Sequence, residues 1–271
     1  MNDDGVFVDD VITRESGEAL LGAYESGVPI APLTAKLGTL SVDEAYGIQL
    51  HQVEAWLSQG REIAGFKVGL TSKAIQVQLG VDRPDFGHLF GDMILDGSST
   101  IDLTRFISPR IEPEISFVLG SALAGPGLTI VDVINAVDYA IASVEIIDSR
   151  IADWKITLAD TIADNASSGA LVLGTTPLRI DATDLGLIGC VLSRNGEVVA
   201  TGAGAAVLGH PLNSLLFLAN SLGSLGRDLP AGSVVMAGAL TAAVPIAPGD
   251  RFTATFAHLG SVSATFSTID S

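Results

Sequence analysis

The spacing of apolar positions changes partway along the chain. Over residues 8–25 and 41–58 they recur every three to four positions, which predicts two amphipathic helices. The second opens on Ser41 and carries Glu44 three residues later, a capping-box pattern. Between the two, "SGVPIAPLT" reads as a proline-containing linker. From about residue 61 the period shortens to two. "EIAGFKVGL", "RIEPEISFVLG", "ASVEIID", "GALVLGT", "IGCVLSRNGEVVATG", "SVVMAG" and "RFTATFAHLGSVSATFS" are short β-like segments punctuated by Gly, Pro and Asn-Gly. Asn195-Gly196 predicts a two-residue hairpin, and His258-Leu259-Gly260-Ser261 joins the last two strands. Two helices interrupt this run. "TIVDVINAVDYAI" has Thr129 and Asp132 in capping positions, and "HPLNSLLFLANSLGSLG" has Pro211 at a first helical position. The pattern predicts an α+β protein, with a helical N-terminal region over residues 1–60 and a β-rich core over 61–271.

Composition removes several function classes. No apolar run approaches the roughly 20 residues of a membrane helix, and the acidic start "MNDDGVFVDD" is the opposite of a basic signal peptide. The single cysteine, Cys190, allows neither an internal disulfide nor a cysteine-based zinc site. A net charge of −17 argues against nucleic acid and anionic membranes as partners, because Lys and Arg supply most of that affinity. With 48% hydrophobic and only 17% charged residues the acid excess is not a disorder signal. A cytoplasmic protein acting on a small molecule is the expectation. The glycines, though plentiful, form no Walker or dinucleotide fingerprint; "GAGAAVLG" lacks the spacing.

Within this sequence a few carboxylates are out of place. In "RIEPEISF" Ile111, Ile115 and Phe117 fall on one strand face, and Glu112, Glu114 and Ser116 on the other. The two glutamates then point the same way, roughly 7 Å apart. Pro113 between them removes a backbone donor, which predicts an edge or bulged position. Either that face is solvated or something positive sits against it. Glu145, in the strand-like run "ASVEII", poses the same question, since a buried carboxylate costs several kcal/mol unless paired, protonated or bound to metal. Three carboxylates with no His or Cys cluster nearby form the ligand set of a hard cation such as Mg²⁺ or Mn²⁺. Lys67 in "GFKVG" is a candidate acid–base group, its ammonium expected to have a lowered pKa or to grip a substrate carboxylate.

Taken together, "GFKVGLTS", "RIEPEISFVLG", "VEIIDSRIADWK" and "LADTIADNASSG" resemble the 2-oxopent-4-enoate hydratase and 4-oxalocrotonate decarboxylase family of the fumarylacetoacetase-like superfamily. The resemblance extends over roughly residues 40–268 and implies a mixed β-roll core with an acidic site for Mg²⁺ or Mn²⁺. The family's metal ligands, a Glu-x-Glu and a third Glu about thirty residues on, fall on Glu112, Glu114 and Glu145. Its active-site Lys and Asp fall on Lys67 and on Asp85 in "RPDFGHLF". Ser167 and Ser168 resemble its substrate-side loop, and "MAGALT" would bring Thr241 to the substrate. His88 reads as a packed loop histidine, His210 as a helix-start residue, and Asp148, Arg150 and Lys155 as supporting ion pairs. The implied reaction is hydration of a 2-hydroxy-2,4-dienoate to a 4-hydroxy-2-oxo acid in meta-cleavage degradation of aromatic or steroid rings, with 4-oxalocrotonate decarboxylation as the alternative. Acylpyruvate hydrolysis ranks lower, because the N-terminal His51 sits in a helix without a matching motif. A non-catalytic partner subunit is the remaining alternative. The resemblance also implies a homo-oligomer and association with a pathway aldolase, decarboxylase or hydratase.

Overall fold

The computed structural model describes residues 10–268, and the change of apolar period near residue 61 is also a change of layer. Helices α1 (Asp10–Ser26), α2 (Leu33–Leu37) and α3 (Val42–Ser58) come first. The capping box at α3 is formed: the Glu44 N–H donates to Ser41 Oγ at 3.2 Å, and the Glu44 carboxylate accepts the Ser41 N–H at 2.8 Å. Residues 8 and 9 of the first predicted helix lie outside the described residues. Leu20, Ala45 and Ile48 join Ile151, Ile162 and Ala163 in a cluster that fixes these helices to the rest of the chain.

The strands make two sheets. The larger contains β1 (Ile63–Gly69), β2 (Asp85–Phe90), β3 (Ile94–Leu95), β5 (Arg110–Leu119), β6 (Val137–Ile147), β7 (Ser168–Leu173) and β10 (Val234–Ala239). Its order is β2-β1-β10-β5-β6-β7-β3, and β11 (Val244–Pro245) also pairs with β5. The smaller, in order β4-β13-β12-β8-β9, uses β4 (Thr100–Ile101), β8 (Gly189–Arg194), β9 (Glu197–Ala203), β12 (Arg251–Phe256) and β13 (Gly260–Phe266). The β1–β10, β3–β7 and β4–β13 pairs are parallel and the others antiparallel, so both sheets are mixed. Helices α4 (Lys73–Leu79), α5 (Ile130–Ala136), α6 (Leu158–Ala163) and α7 (Pro211–Ser224) complete the fold. Among the described residues no helix is long and apolar enough to cross a membrane.

The two faces of β5 divide the molecule. Ile111, Ile115 and Phe117 share one apolar core with Leu192, Phe252, Ala254 and Val262 of the smaller sheet. On the other face, Val118, Met236 and Leu171 pack beneath Val53 and Trp56 of α3. Along that face polarity then rises: the Ser116 and Ser143 hydroxyls meet at 2.7 Å, and beyond them come Glu114, Glu112 and Glu145. Gln49 and Gln52 of α3 close the layer. Gln49 Nε2 donates to the carbonyls of Phe86 (3.0 Å) and Ile162 (2.8 Å), and Gln52 Nε2 to that of Ala163 (2.7 Å).

Two expectations change. Pro113 lies not on an edge strand but between β10 and β6. The irregularity is in the neighbour, where β10 shifts register between Met236 and Ala239. A residue's N–H and C=O point to the same side of a strand, and the Pro113 carbonyl accepts the Leu240 N–H at 3.0 Å. The missing donor therefore faces the irregular stretch, where no ladder bond is lost. The helix read over "TIVDVINAVDYAI" stops at Ala136, and Val137 already belongs to β6. Pairing with β5 along "VDYAIASVEII" outweighs a pattern compatible with helix. Both hairpins form as expected: Arg194 pairs with Glu197 around Asn195 and Gly196, both at positive φ, and Phe256 pairs with Gly260.

Candidate metal and active site

Register brings the carboxylates together. Glu112 and Glu114 are two apart on β5, and Glu145 of β6 is directly opposite Glu112. One oxygen from each lies within 4.8 Å of the others. Burial raises all three pKa values: Glu112, with repulsion from Glu145, to about 7; Glu114, with repulsion from Glu145 and Glu112, well above the usual carboxylate range; and Glu145 upward although Lys67 opposes it. The Gly238 N–H donates to Glu114 Oε2 at 2.8 Å. Gly238 has φ 120°, and a Cβ there would collide with Thr71, so the bulge that delivers this donor requires glycine. Neither oxygen of Glu145 has a hydrogen-bond partner, although Lys67 Nζ lies 3.2 Å from Oε1. Three converging carboxylates, Glu114 and Glu145 buried and Glu145 under-partnered, fit a hard divalent cation.

Lys67 reaches Glu145 although β1 and β6 are three places apart in the sheet, so the sheet curls around the site. Its Nζ donates to the Ala166 carbonyl at 2.8 Å. The expected lowering of its pKa is not found. Burial pulls the ammonium down, but Glu145, Asp85, Glu112 and Glu114 together overcome that and raise it. Asp85 is the first residue of β2, buried and paired with Gly69. Burial raises its pKa against the pull of Lys67 and of the Thr161 hydroxyl, which donates to Oδ2 at 3.4 Å. Any side chain at position 69 would strike Asp85 Oδ1, which explains the glycine in "KVG".

These groups line a cavity of about 580 Å³ together with Ser167 and Thr241. Ser168 does not line it. Its side chain is fully buried and its carbonyl accepts from Arg150 Nη1 at 3.0 Å. The sequence reading missed Thr71, Arg110, Trp154 and Thr161, which line the same cavity. Arg110 was within reach, since it precedes Glu112 by two residues and so shares its strand face. Its guanidinium lies 4.5 Å over the Trp154 ring, whose Nε1 donates to the Ser108 carbonyl at 3.0 Å.

The remaining candidates lie away from the cavity. His88 is buried on β2, not in a loop; its Nδ1 is 3.0 Å from Gln49 Oε1, and burial takes its pKa down to about 3. His210 caps α7, accepting the Leu212 N–H at 3.2 Å. Asp148 accepts the backbone N–H groups of Ile107 (2.9 Å) and Ser108 (2.7 Å), which places the Trp154 partner. Arg150 pairs with Asp164 at 2.6 Å, whereas Lys155 makes a surface pair with Asp153.

Comparison with known proteins agrees with this geometry. The family model described as fumarylacetoacetate (FAA) hydrolase C-terminal matches residues 67–267, which include every one of the candidate residues above. The 2-keto-4-pentenoate hydratase of Paraburkholderia xenovorans (strain LB400) is 47% identical over 253 residues, covering 93% of this chain and 94% of its own. A 4-oxalocrotonate decarboxylase of Pseudomonas putida is 46% identical over 223 residues, covering 82% of this chain and 84% of its own. The solved structure of 4-oxalocrotonate decarboxylase from Pseudomonas putida G7, complexed with magnesium and adipate, superposes with a TM-score of 0.91 at 41% identity, covering 95% of this chain and 97% of that one. A curled mixed sheet with an acidic pocket, matched in sequence from Lys67 onward, makes this chain a member of the fumarylacetoacetate hydrolase family.

Proposed function

We propose that the chain is a metal-dependent hydratase that converts a 2-hydroxy-2,4-dienoate into a 4-hydroxy-2-oxo acid. The observation that carries this is the meeting of Glu112, Glu114 and Glu145 beside Lys67 and Asp85 in one cavity, in a chain 47% identical to a 2-keto-4-pentenoate hydratase. Mg²⁺ or Mn²⁺ held by the three glutamates would supply Lewis-acid stabilisation for the negative charge that develops at the C2 oxygen.

The chain's own residues handle the protons. In the reaction the dienol loses the proton on its C2 oxygen and gains one at C5; water then gives its oxygen to C4 and a proton to C3. Asp85 is the proton carrier. Its Oδ1 has no partner, and burial brings its pKa up from the ordinary range, as a group that must both take and release a proton requires. Lys67 stays an ammonium, donating to Ala166 and facing Glu145, which leaves one of its three N–H bonds for the substrate. Ser167, whose Oγ is 3.4 Å from Thr161 Oγ1, and Thr241 contact the substrate from opposite walls. Ser168 supports the wall from behind.

Arg110 favours a second reading, 4-oxalocrotonate decarboxylation, because a guanidinium at the cavity wall offers a partner to the second carboxylate of a dicarboxylic substrate. Incubation of the protein and Mg²⁺ with 2-hydroxypenta-2,4-dienoate and, separately, 4-oxalocrotonate, followed by NMR, decides between them. New 4-hydroxy signals support hydration; release of CO₂ overturns it in favour of decarboxylation. Self-association belongs to the same proposal, with exposed Leu187 and, on the edge strand β9, exposed Val198 and Val199 as the contact. A concentration-independent monomer in light scattering would exclude it.

A further inference from the structure

The turn Asn165–Ser167 is the most strained segment near the site. Its three consecutive residues have φ of 49°, 52° and 52°, left-handed backbone without a glycine. Each such residue costs roughly 1–2 kcal/mol, and persists only where the surroundings over-determine it. Here they do so from two sides. Asn165 Oδ1 accepts the His88 N–H at 2.7 Å and its Nδ2 donates to the His88 carbonyl at 2.9 Å, so one amide is bolted to both backbone groups of a β2 residue. From the other side Arg150 donates to the carbonyls of Asp164 and Ser168, each at 3.0 Å, bracketing the turn.

The product of this geometry is one carbonyl. Ala166, in the middle of the turn, directs its oxygen at Lys67 Nζ at 2.8 Å. A lysine has several rotatable bonds, and this one faces four carboxylates that attract it. Shared between the Ala166 carbonyl and Glu145 Oε1, which lies 3.2 Å away, the ammonium has one position instead of a choice among the four.

We propose that Asn165 is a positioning residue for Lys67: its amide locks the left-handed turn to β2, and the Ala166 carbonyl then holds the ammonium at one point of the cavity wall. This rests on the reading of Lys67 as part of the reaction. Asn165 touches neither substrate nor cation, and its effect passes through the lysine.

A double-mutant cycle tests it, run on whichever of the two substrates the protein turns over. Asn165→Ala is expected to lower kcat about 10-fold or more, while KM and the Mg²⁺ affinity from calorimetric titration stay within about twofold. In a Lys67→Ala background the same substitution is expected to add less than about twofold, because the group it serves is gone. Equal losses in both backgrounds, or a change confined to KM or Mg²⁺ affinity, would overturn the proposal. Asn165→Gly, which accepts the left-handed backbone without strain, is the second variant should the alanine variant not fold, and the same outcomes apply. If the protein turns over neither substrate, the functional reading fails separately. The position of Lys67 is then read from the ¹⁵N resonance of its ammonium. A shift in Asn165→Ala supports the proposal, and an unchanged resonance overturns it.

Discussion

Two clusters of buried charge lie along β6 and the segments that follow it, and the chain completes one of them and not the other. Around Arg150 the pairing closes. Its Nε meets Asp164 Oδ1 at 2.6 Å, its two Nη groups reach backbone carbonyls, and its face lies 4.1 Å over the Tyr24 ring. Asp164 Oδ2 in turn accepts the Arg150 N–H at 3.0 Å and the Ser149 hydroxyl at 3.2 Å. Around Glu145 the pairing stays open: Glu112, Glu114, Glu145 and Asp85 face the buried Lys67, and Arg110 at the cavity wall acts on Glu112. The first arrangement satisfies itself within the chain and serves architecture. The second is short of positive charge, and its carboxylates are left to bind protons or a cation.

The largest expected effect tests the closed cluster. Arg150→Ala strands Asp164 in the interior and is expected to remove about 3–5 kcal/mol of stability. Urea unfolding measures it, and a loss below about 1 kcal/mol, the scale of a surface pair, would erase the contrast. Next comes the lysine of the open cluster. Lys67→Ala should lower turnover by about 10²-fold while Mg²⁺ still binds, and Lys67→Arg should not restore it, because a planar guanidinium does not reproduce the point charge that the ammonium places between Ala166 and Glu145. Turnover within threefold of the unmodified protein would make Lys67 a packing residue.

Smaller effects come from the glutamates. Glu145→Gln should weaken Mg²⁺ binding by about an order of magnitude or more; chelator-treated protein should be inactive and recover with Mg²⁺ or Mn²⁺. Glu112→Gln should make the metal-free protein slightly more stable, opposite in sign to Arg150→Ala, since it removes a repelling charge. A metal-free Glu112→Gln protein that unfolds at lower urea would show the open cluster to be structural after all.

The smallest effect is a slope with pH. Glu112 rises from its ordinary 4.5 to about 7 in the folded, metal-free protein. Between those values the folded state holds a proton that the unfolded state has released, so stability falls as pH rises. The contribution is complete below pH 4.5 and lost as pH passes about 7. Asp164, raised by burial to about 6, adds in the same direction. Metal requires the deprotonated carboxylates, so Mg²⁺-dependent stabilisation should grow over the same range. Thermal unfolding at pH 5 and pH 8, with and without Mg²⁺, reads both slopes; a metal-free protein more stable at pH 8 contradicts them.

The acidic half of the site was legible because it is written in strand periodicity. Alternation alone puts Glu112 and Glu114 on one face, and Glu145 stands out as the carboxylate of an apolar run. What pairs across strands was not legible, since register is set by the whole sheet; nothing local says that Glu145 opposes Glu112. Pro113 signalled an edge or a bulge, and which strand carries the irregularity was hidden because it lies in β10, more than a hundred residues on. Of the two readings of Lys67, the lowered pKa fails because burial was visible in the sequence and its four anionic neighbours were not. Ser167 faces the cavity and Ser168 does not because the first ends the left-handed turn and the second begins β7, a boundary the sequence does not mark.

The side-chain amides of Gln49 and Gln52 give the N-terminal helices a meaning beyond covering the sheet. They terminate carbonyls at Phe86, Ile162 and Ala163, the first inside the strand that carries Asp85 and the others at the end of the helix that carries Thr161. A chain restarted at residue 61 would keep all the candidate ligands, yet it would leave three acceptors without donors behind the catalytic wall, at about 1–3 kcal/mol for each one left buried. The family match begins at Lys67, but the hydrogen bonding does not divide there. In evolutionary terms the helical segment and the catalytic core are not freely exchangeable modules: a replacement N-terminus would have to present two amides at the same helical spacing.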